Sequence, residues 1–220
     1  MAGRPAGSPP PLLIACALRI ERTALRSGRD TGAPDRYEIL RTGMGPRAAE
    51  RAVGRALDGP RLRGAAVLAT GFCAGLLPGM SPGDLIVAEE TRDPRGTVAC
   101  TGTALLAEAL ARAVPGRTVH LGALTGSDHV VRGQERAQLR ATGAIGVDME
   151  SAATLWTAAR GGAAAGADRP VAAVRVIVDA PEHELVRIGT VRGGISAFRV
   201  LRALLPAFYD WHRSLLLPRR

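Results

Sequence analysis

Seven short apolar runs, separated by stretches with helical spacing, constrain this chain more than any other feature. They are Leu12–Leu18, Tyr37–Arg41, Gly64–Thr70, Asp84–Ala88, Thr118–Leu124, Ile145–Val147 and Val171–Val178. Runs of this length read as strands, several of them apolar enough to be buried on both faces. Between them, Arg47–Leu57, Thr103–Ala113, Gln134–Ala141 and Ser151–Arg160 carry helical spacing. The alternation predicts an α/β fold: a single-domain αβα sandwich around a mixed, largely parallel sheet. A chain of 220 residues suits one such domain, long enough to bury roughly 70% of its unfolded surface. Residues 1–11 lack the apolar core of a signal peptide and read as a disordered lead-in, with the domain spanning 12–220. Gly161–Arg169 reads as a Gly/Ala loop, and residues 195–220 as an amphipathic helical tail that Pro206 kinks.

Charge is a weaker guide. All 29 basic residues are arginines and the formal charge is +9, but no block of five like charges occurs. An all-arginine, Ala- and Gly-rich composition is what GC-rich coding imposes everywhere, so a nucleic-acid partner is not expected. Cys16, Cys73 and Cys100 are far apart, with no CxxC pair, and predict neither a disulfide framework nor a metal site. No stretch approaches the roughly 20 apolar residues of a membrane span. A cytoplasmic protein is expected.

The strand ends carry the chemistry. In open α/β sheets, ligands sit beyond the carboxyl ends of the strands. Here those ends hold ALRIER with Glu21, TGMGP with Met44, TGFCAG with Gly71 and Phe72, GVDMES with Glu150, and VDAPEHE with Asp179. Glycines cluster where a backbone turns tightly or approaches a ligand. Carboxylates at such ends can act as a general acid, as a general base or as a hold on substrate hydroxyls. Asp179 follows a buried apolar run, where partial burial makes a carboxyl a better acid; it equally suits a turn before Pro181. Glu150 and Glu21 each stand near a helix start, where an acid also complements the helix dipole. Pattern alone leaves both readings open.

At these residues the chain resembles the superfamily of purine nucleoside phosphorylases and methylthioadenosine/S-adenosylhomocysteine nucleosidases. AIGVDMESAA (Ala144–Ala153) is similar to its ribose-binding V-E-M-E-A-A signature, with Asp148 in place of the first glutamate. The resemblance implies that Met149 lies against the nucleoside and Glu150 holds the ribose hydroxyls. VRVIVD (Val174–Asp179) is similar to V-R-A-I-S-D, which gives Asp179 the role of bonding and protonating the purine at N7 and implies a 6-amino base. Ala69–Glu90 resembles the family's glycine-rich third-strand run, Arg41–Pro46 its S-G-I-G turn, and Ala17–Arg22 its A-M-E-E-E. The last implies that Glu21 activates water. Met44, Gly71 and Phe72 then face substrate, and either His129, which falls near the base-stacking position, stacks on the base or Ser127 and Asp128 bond its edge instead.

Departures refine what is implied. The phosphorylases place an arginine and a serine on phosphate where this chain has Ala69 and Phe72, which favours water over phosphate. Val178 replaces the serine before Asp179. The tail holds Phe198, Phe208, Tyr209 and Trp211, and seven arginines follow His183 against only Glu184 and Asp210. Such a helix either lies on an anionic membrane surface or packs on the core or a second subunit. The tail resembles the hopanoid-associated branch, which acts on adenosylhopane. The resemblance therefore implies release of adenine from a nucleoside with a bulky or apolar 5′ substituent, without metal or organic cofactor, by a homo-oligomer. Phosphorolysis, and methylthioadenosine, S-adenosylhomocysteine or futalosine as substrate, are the alternatives within the enzyme class. A non-catalytic nucleotide- or nucleic-acid-binding protein is the alternative outside it.

Overall fold

A computed structural model of the chain describes residues 10–28, 37–164, 168–180 and 189–215. Strand β1 (Leu12–Cys16) leads into helix α1 (Arg19–Ser27), and β2 (Tyr37–Arg41) into α2 (Pro46–Asp58). Three strands follow: β3 (Ala66–Gly75), β4 (Leu85–Asp93) and β5 (Gly96–Ala99). Then come α3 (Thr103–Ala113), β6 (Val119–Gly126), α4 (Gln134–Ala141), β7 (Ala144–Asp148) and α5 (Ser151–Ala164). Strand β8 (Val171–Asp179) and helices α6 (Gly189–Ala203) and α7 (Leu205–Ser214) complete the order.

The sheet runs β2-β1-β3-β7-β6-β4-β5, with β8 paired to both β3 and β4. Pairings β1–β2, β1–β3, β3–β8, β4–β6 and β6–β7 are parallel, whereas β3–β7, β4–β5 and β4–β8 are antiparallel. The mixed, largely parallel α/β architecture expected from the sequence is therefore present. Because β8 bridges β3 to β4 while β7 bridges β3 to β6, the strands β3-β8-β4-β6-β7 also close into a ring.

Successive side chains of a strand point to opposite faces, and here both faces are buried. Leu12, Ile14 and Cys16 join one core with Leu25, Leu106, Leu110, Leu201 and Phe208. Leu13 and Ala15 join the other with Val53, Leu57, Leu155 and Ala158. Helices α1, α3, α6 and α7 thus cover one face, and α2 and α5 the other.

One expectation needs correction. The Gly/Ala loop does not begin at Gly161, because α5 continues through Gly161 and Gly162 to Ala164. Each glycine costs a helix about 1 kcal/mol, which the packing of Leu155 and Ala158 farther up the helix offsets. Of the two readings of the tail, packing on the core describes its aromatic residues Phe208, Tyr209 and Trp211. The tail breaks at Leu204, with Pro206 in the first turn of α7, and these three side chains are at most 1% exposed. Trp211 Nε1 donates to the carbonyl of Thr101 at 2.8 Å, and His212 Nε2 to that of Pro10 at 2.6 Å. Tyr209 packs edge-on against Tyr37. Most of the lead-in and all of PEHELVRI after Ala180 lie outside the described residues.

Candidate active site

The carboxyl ends of β1, β3 and β8 converge with the β7–α5 junction on a cleft of about 210 Å³. Glu21 stands at the third position of α1 and is 2% exposed. Its Oε2 accepts from the backbone N–H groups of Ala17 and Leu18 at 2.9 and 2.8 Å, and its Oε1 from Phe72 at 2.9 Å. The bond to Leu18, the residue before the helix, is half of a capping box. The carboxylate thus caps α1 and lines the cleft at once. Burial pushes its pKa up, against the opposing pull of Arg175 and the three N–H groups.

Glu150 shows which acid caps α5. The N–H of Ser151 is taken by Asp148, at 3.1 Å, so Glu150 is free to reach across the cleft. Its Oε1 accepts from the N–H of Gly45 at 2.8 Å. Gly45 has φ +86°, a left-handed value that glycine adopts without strain. Burial also raises the pKa of Glu150.

Behind both acids lies Arg175, a buried cation inside strand β8, 1% exposed. Its Nε is 2.5 Å from Asp148 Oδ2 and 2.8 Å from Ser151 Oγ, Nη1 donates to the Thr70 carbonyl at 3.0 Å, and Nη2 is 3.9 Å from Glu150 Oε2. Asp148 and Glu150 thus lie within 4.0 Å of one guanidinium and Glu21 feels its charge from farther off, so the local charge is negative when all three acids are ionised. Gly71 makes this fit. It has φ +133°, and a Cβ there would stand 2.5 Å from Glu21 Oε1 and 2.6 Å from Arg175 Nη1.

On the other wall, Asp179 Oδ2 accepts from Arg136 of α4. A register shift places Ala74 of β3 opposite Asp179 and skips Val178. The bulge brings two successive side chains, Val178 and Asp179, to the cleft, where a regular strand would have sent one away. Cys73 also lines the cleft, but burial pushes its thiol up in pKa, away from a nucleophilic thiolate.

Of the residues singled out in the sequence, Glu21, Met44, Phe72, His129, Met149, Glu150 and Asp179 line this cleft together. Gly71 does not line it and instead packs behind it. Ser127 and Asp128 line an adjoining cleft of about 620 Å³, which shares His129 and Met149 with the first. His129 is held by its edges, Nδ1 at 2.7 Å from Asp128 and Nε2 at 2.9 Å from Glu135, and these partners raise its pKa. Sequence reasoning missed Arg136, which gave no signal on a polar helix. It also gave no role to Arg175, although a lone charge within an apolar strand run was a signal.

A family model described as the Phosphorylase superfamily matches residues 35–206. The chain belongs to the phosphorylase superfamily. Membership agrees with the expectation of an enzyme of nucleosidase or nucleoside phosphorylase type. The matched span begins after α1, so Glu21 stands on its geometry in the cleft. No curated protein sequence matches the chain. Solved structures share the superfamily fold. A 5′-methylthioadenosine/S-adenosylhomocysteine nucleosidase from Neisseria meningitidis, in complex with methylthio-immucillin-A, is 19% identical with a TM-score of 0.71, covering 92% of this chain and 98% of that one. An S-adenosylhomocysteine nucleosidase from Streptococcus pyogenes gives 16% and 0.70, covering 98% and 100%. A futalosine hydrolase of Helicobacter pylori gives 15% and 0.72, covering 91% and 97%.

Proposed function

We propose that this protein hydrolyses the N-glycosidic bond of an adenine nucleoside and releases free adenine. The observation that carries the reading is the set of three carboxylates around one buried guanidinium, beside the cleft. Breaking the bond leaves positive charge on the sugar, and a fixed negative site stabilises that charge as it develops. Glu21 takes the proton of the attacking water, Glu150 and Met149 hold the ribose, and Asp179 bonds the purine. Solved structures of the same fold include a 5′-methylthioadenosine/S-adenosylhomocysteine nucleosidase and an S-adenosylhomocysteine nucleosidase, which supports this reading.

Water is favoured over phosphate because the positive charge at the cleft is already balanced by carboxylates. Among the described residues lining it, the one arginine is Arg136, which is bonded to Asp179. Met44 and Val130, 63% and 60% exposed, give the cleft an apolar rim. That rim suits a bulky or apolar 5′ substituent such as that of adenosylhopane, ahead of a methylthio, homocysteinyl or futalosine-type group. Hydrolysis in ¹⁸O-labelled water tests the chemistry: the label appears at C1 of the released sugar. An unlabelled sugar product, or its 1-phosphate, overturns the reading.

The remaining assignments follow the same logic. We place the protein in the cytoplasm as a homo-oligomer; among the described residues no helix is long and apolar enough to cross a membrane. With the tail aromatics buried, any contact with an anionic membrane falls to exposed arginines such as Arg199 and Arg202.

A further inference from the structure

Arg136 is a cation where a cation is disfavoured. It is 7% exposed and stands in the first turn of α4, at the positive end of the helix dipole. Its Nε donates to the carbonyl of Val131 at 3.3 Å and its Nη2 to Asp179 Oδ2. Two atoms of this pair have no partner although both are buried: Nη1 of Arg136, a donor, and Oδ1 of Asp179, an acceptor. Leaving such groups unmatched is costly, and a ligand that supplies both partners recovers the loss. Both side chains line the cleft. Val178, beside Asp179, has no hydroxyl to fix the carboxylate, and Arg136 supplies that restraint.

We propose that Arg136 binds the base directly and that the Arg136–Asp179 pair selects a purine edge with an acceptor next to a donor. Nη1 donates to N7, and Oδ1 accepts from the 6-amino group. A 6-oxopurine presents two acceptors on that edge and leaves Oδ1 facing oxygen. This assignment rests on the nucleosidase reading and sharpens it. As the C1′–N9 bond breaks, its electron pair moves onto the base, and the guanidinium hydrogen bond at N7 strengthens with the growing charge. Arg136 keeps its proton. The water oxygen bonds C1′, Glu21 takes one of its protons, and the base regains an equivalent proton from solvent.

Calorimetric binding of adenine and of 7-deazaadenine, which has C–H in place of N7, tests the assignment without turnover. The wild type is expected to prefer adenine by at least tenfold. Arg136→Met should reduce that preference below twofold while keeping the 7-deazaadenine affinity, and Arg136→Lys should leave an intermediate preference. An unchanged preference in Arg136→Met overturns the proposal, whether or not both affinities fall together. Should Arg136→Met fail to fold, an unchanged preference in Arg136→Lys overturns it instead. If the wild type releases adenine from nucleosides yet shows no preference, this proposal alone falls. If it neither binds nor releases adenine, the nucleosidase reading falls with it.

Discussion

The carboxylate of Glu21 accepts the backbone N–H of Phe72 at 2.9 Å, across 51 positions of sequence. That bond ties the first turn of α1 to the far end of β3 and fixes one oxygen of a buried acid at the cleft. A base must be ionised to take a proton from water, and burial holds the pKa of Glu21 above the usual glutamate value of 4.5. The acid limb of kcat is therefore expected to lie at higher pH than an exposed glutamate would give, with activity falling as pH drops through it. Burial raises the pKa of Glu150 as well, so its ionisation also bears on that limb. Glu21→Gln should lower kcat by roughly 10²–10⁴-fold, the usual contribution of general base catalysis. A pH–rate profile of wild type and variant checks both points.

Asp179→Asn replaces an acceptor with an amide next to the guanidinium of Arg136. Adenine release should fall about 100-fold, the usual cost of losing one preorganised hydrogen-bonding group, with the circular dichroism spectrum unchanged. Near-wild-type turnover would remove Asp179 from the site.

Gly71→Ala puts a Cβ within 2.6 Å of both Glu21 and Arg175 and asks alanine to adopt φ +133°. Backbone strain of this kind costs about 1–3 kcal/mol, and overpacking adds about as much. Urea denaturation should show the loss of stability, and activity should fall because Glu21 is displaced.

How much of this was visible beforehand depends on where each residue draws its meaning. Runs such as Leu12–Leu18 and Val171–Val178 announced strands because a sheet covered on both faces demands continuous apolar sequence, although the first strand stops at Cys16. Strand β5 did not, since Gly96–Ala99 is largely exposed and lacks an apolar pattern. That Asp148 and not Glu150 caps α5 could not be read from D-M-E, because the choice depends on how the chain turns after β7. Glu21 was legible through its neighbours, whereas Arg136 acquires its place only when α4 folds against the end of β8. The tail carried an amphipathic pattern that suits lipid and protein equally, and only tertiary packing decided which apolar surface it meets.

Trp211 reports on that packing. Trp211→Ala removes a fully buried ring and strands the carbonyl of Thr101, so a loss of about 3–5 kcal/mol is expected. Anionic vesicles should leave tryptophan emission of the wild type unchanged, because Trp211 is already out of water. In Trp156→Phe, where Trp211 is the single tryptophan left, a changed emission maximum on adding vesicles would show that the tail leaves the core.

The central claim is that the cleft breaks a base–sugar bond with water. Purified protein is incubated with adenosine derivatives differing at the 5′ position, in phosphate-free buffer and in phosphate, and free adenine is followed by chromatography. We expect adenine and a free reducing sugar at the same rate in both buffers, fastest with bulky apolar 5′ groups. Adenine that appears only with phosphate, or not at all, contradicts the account.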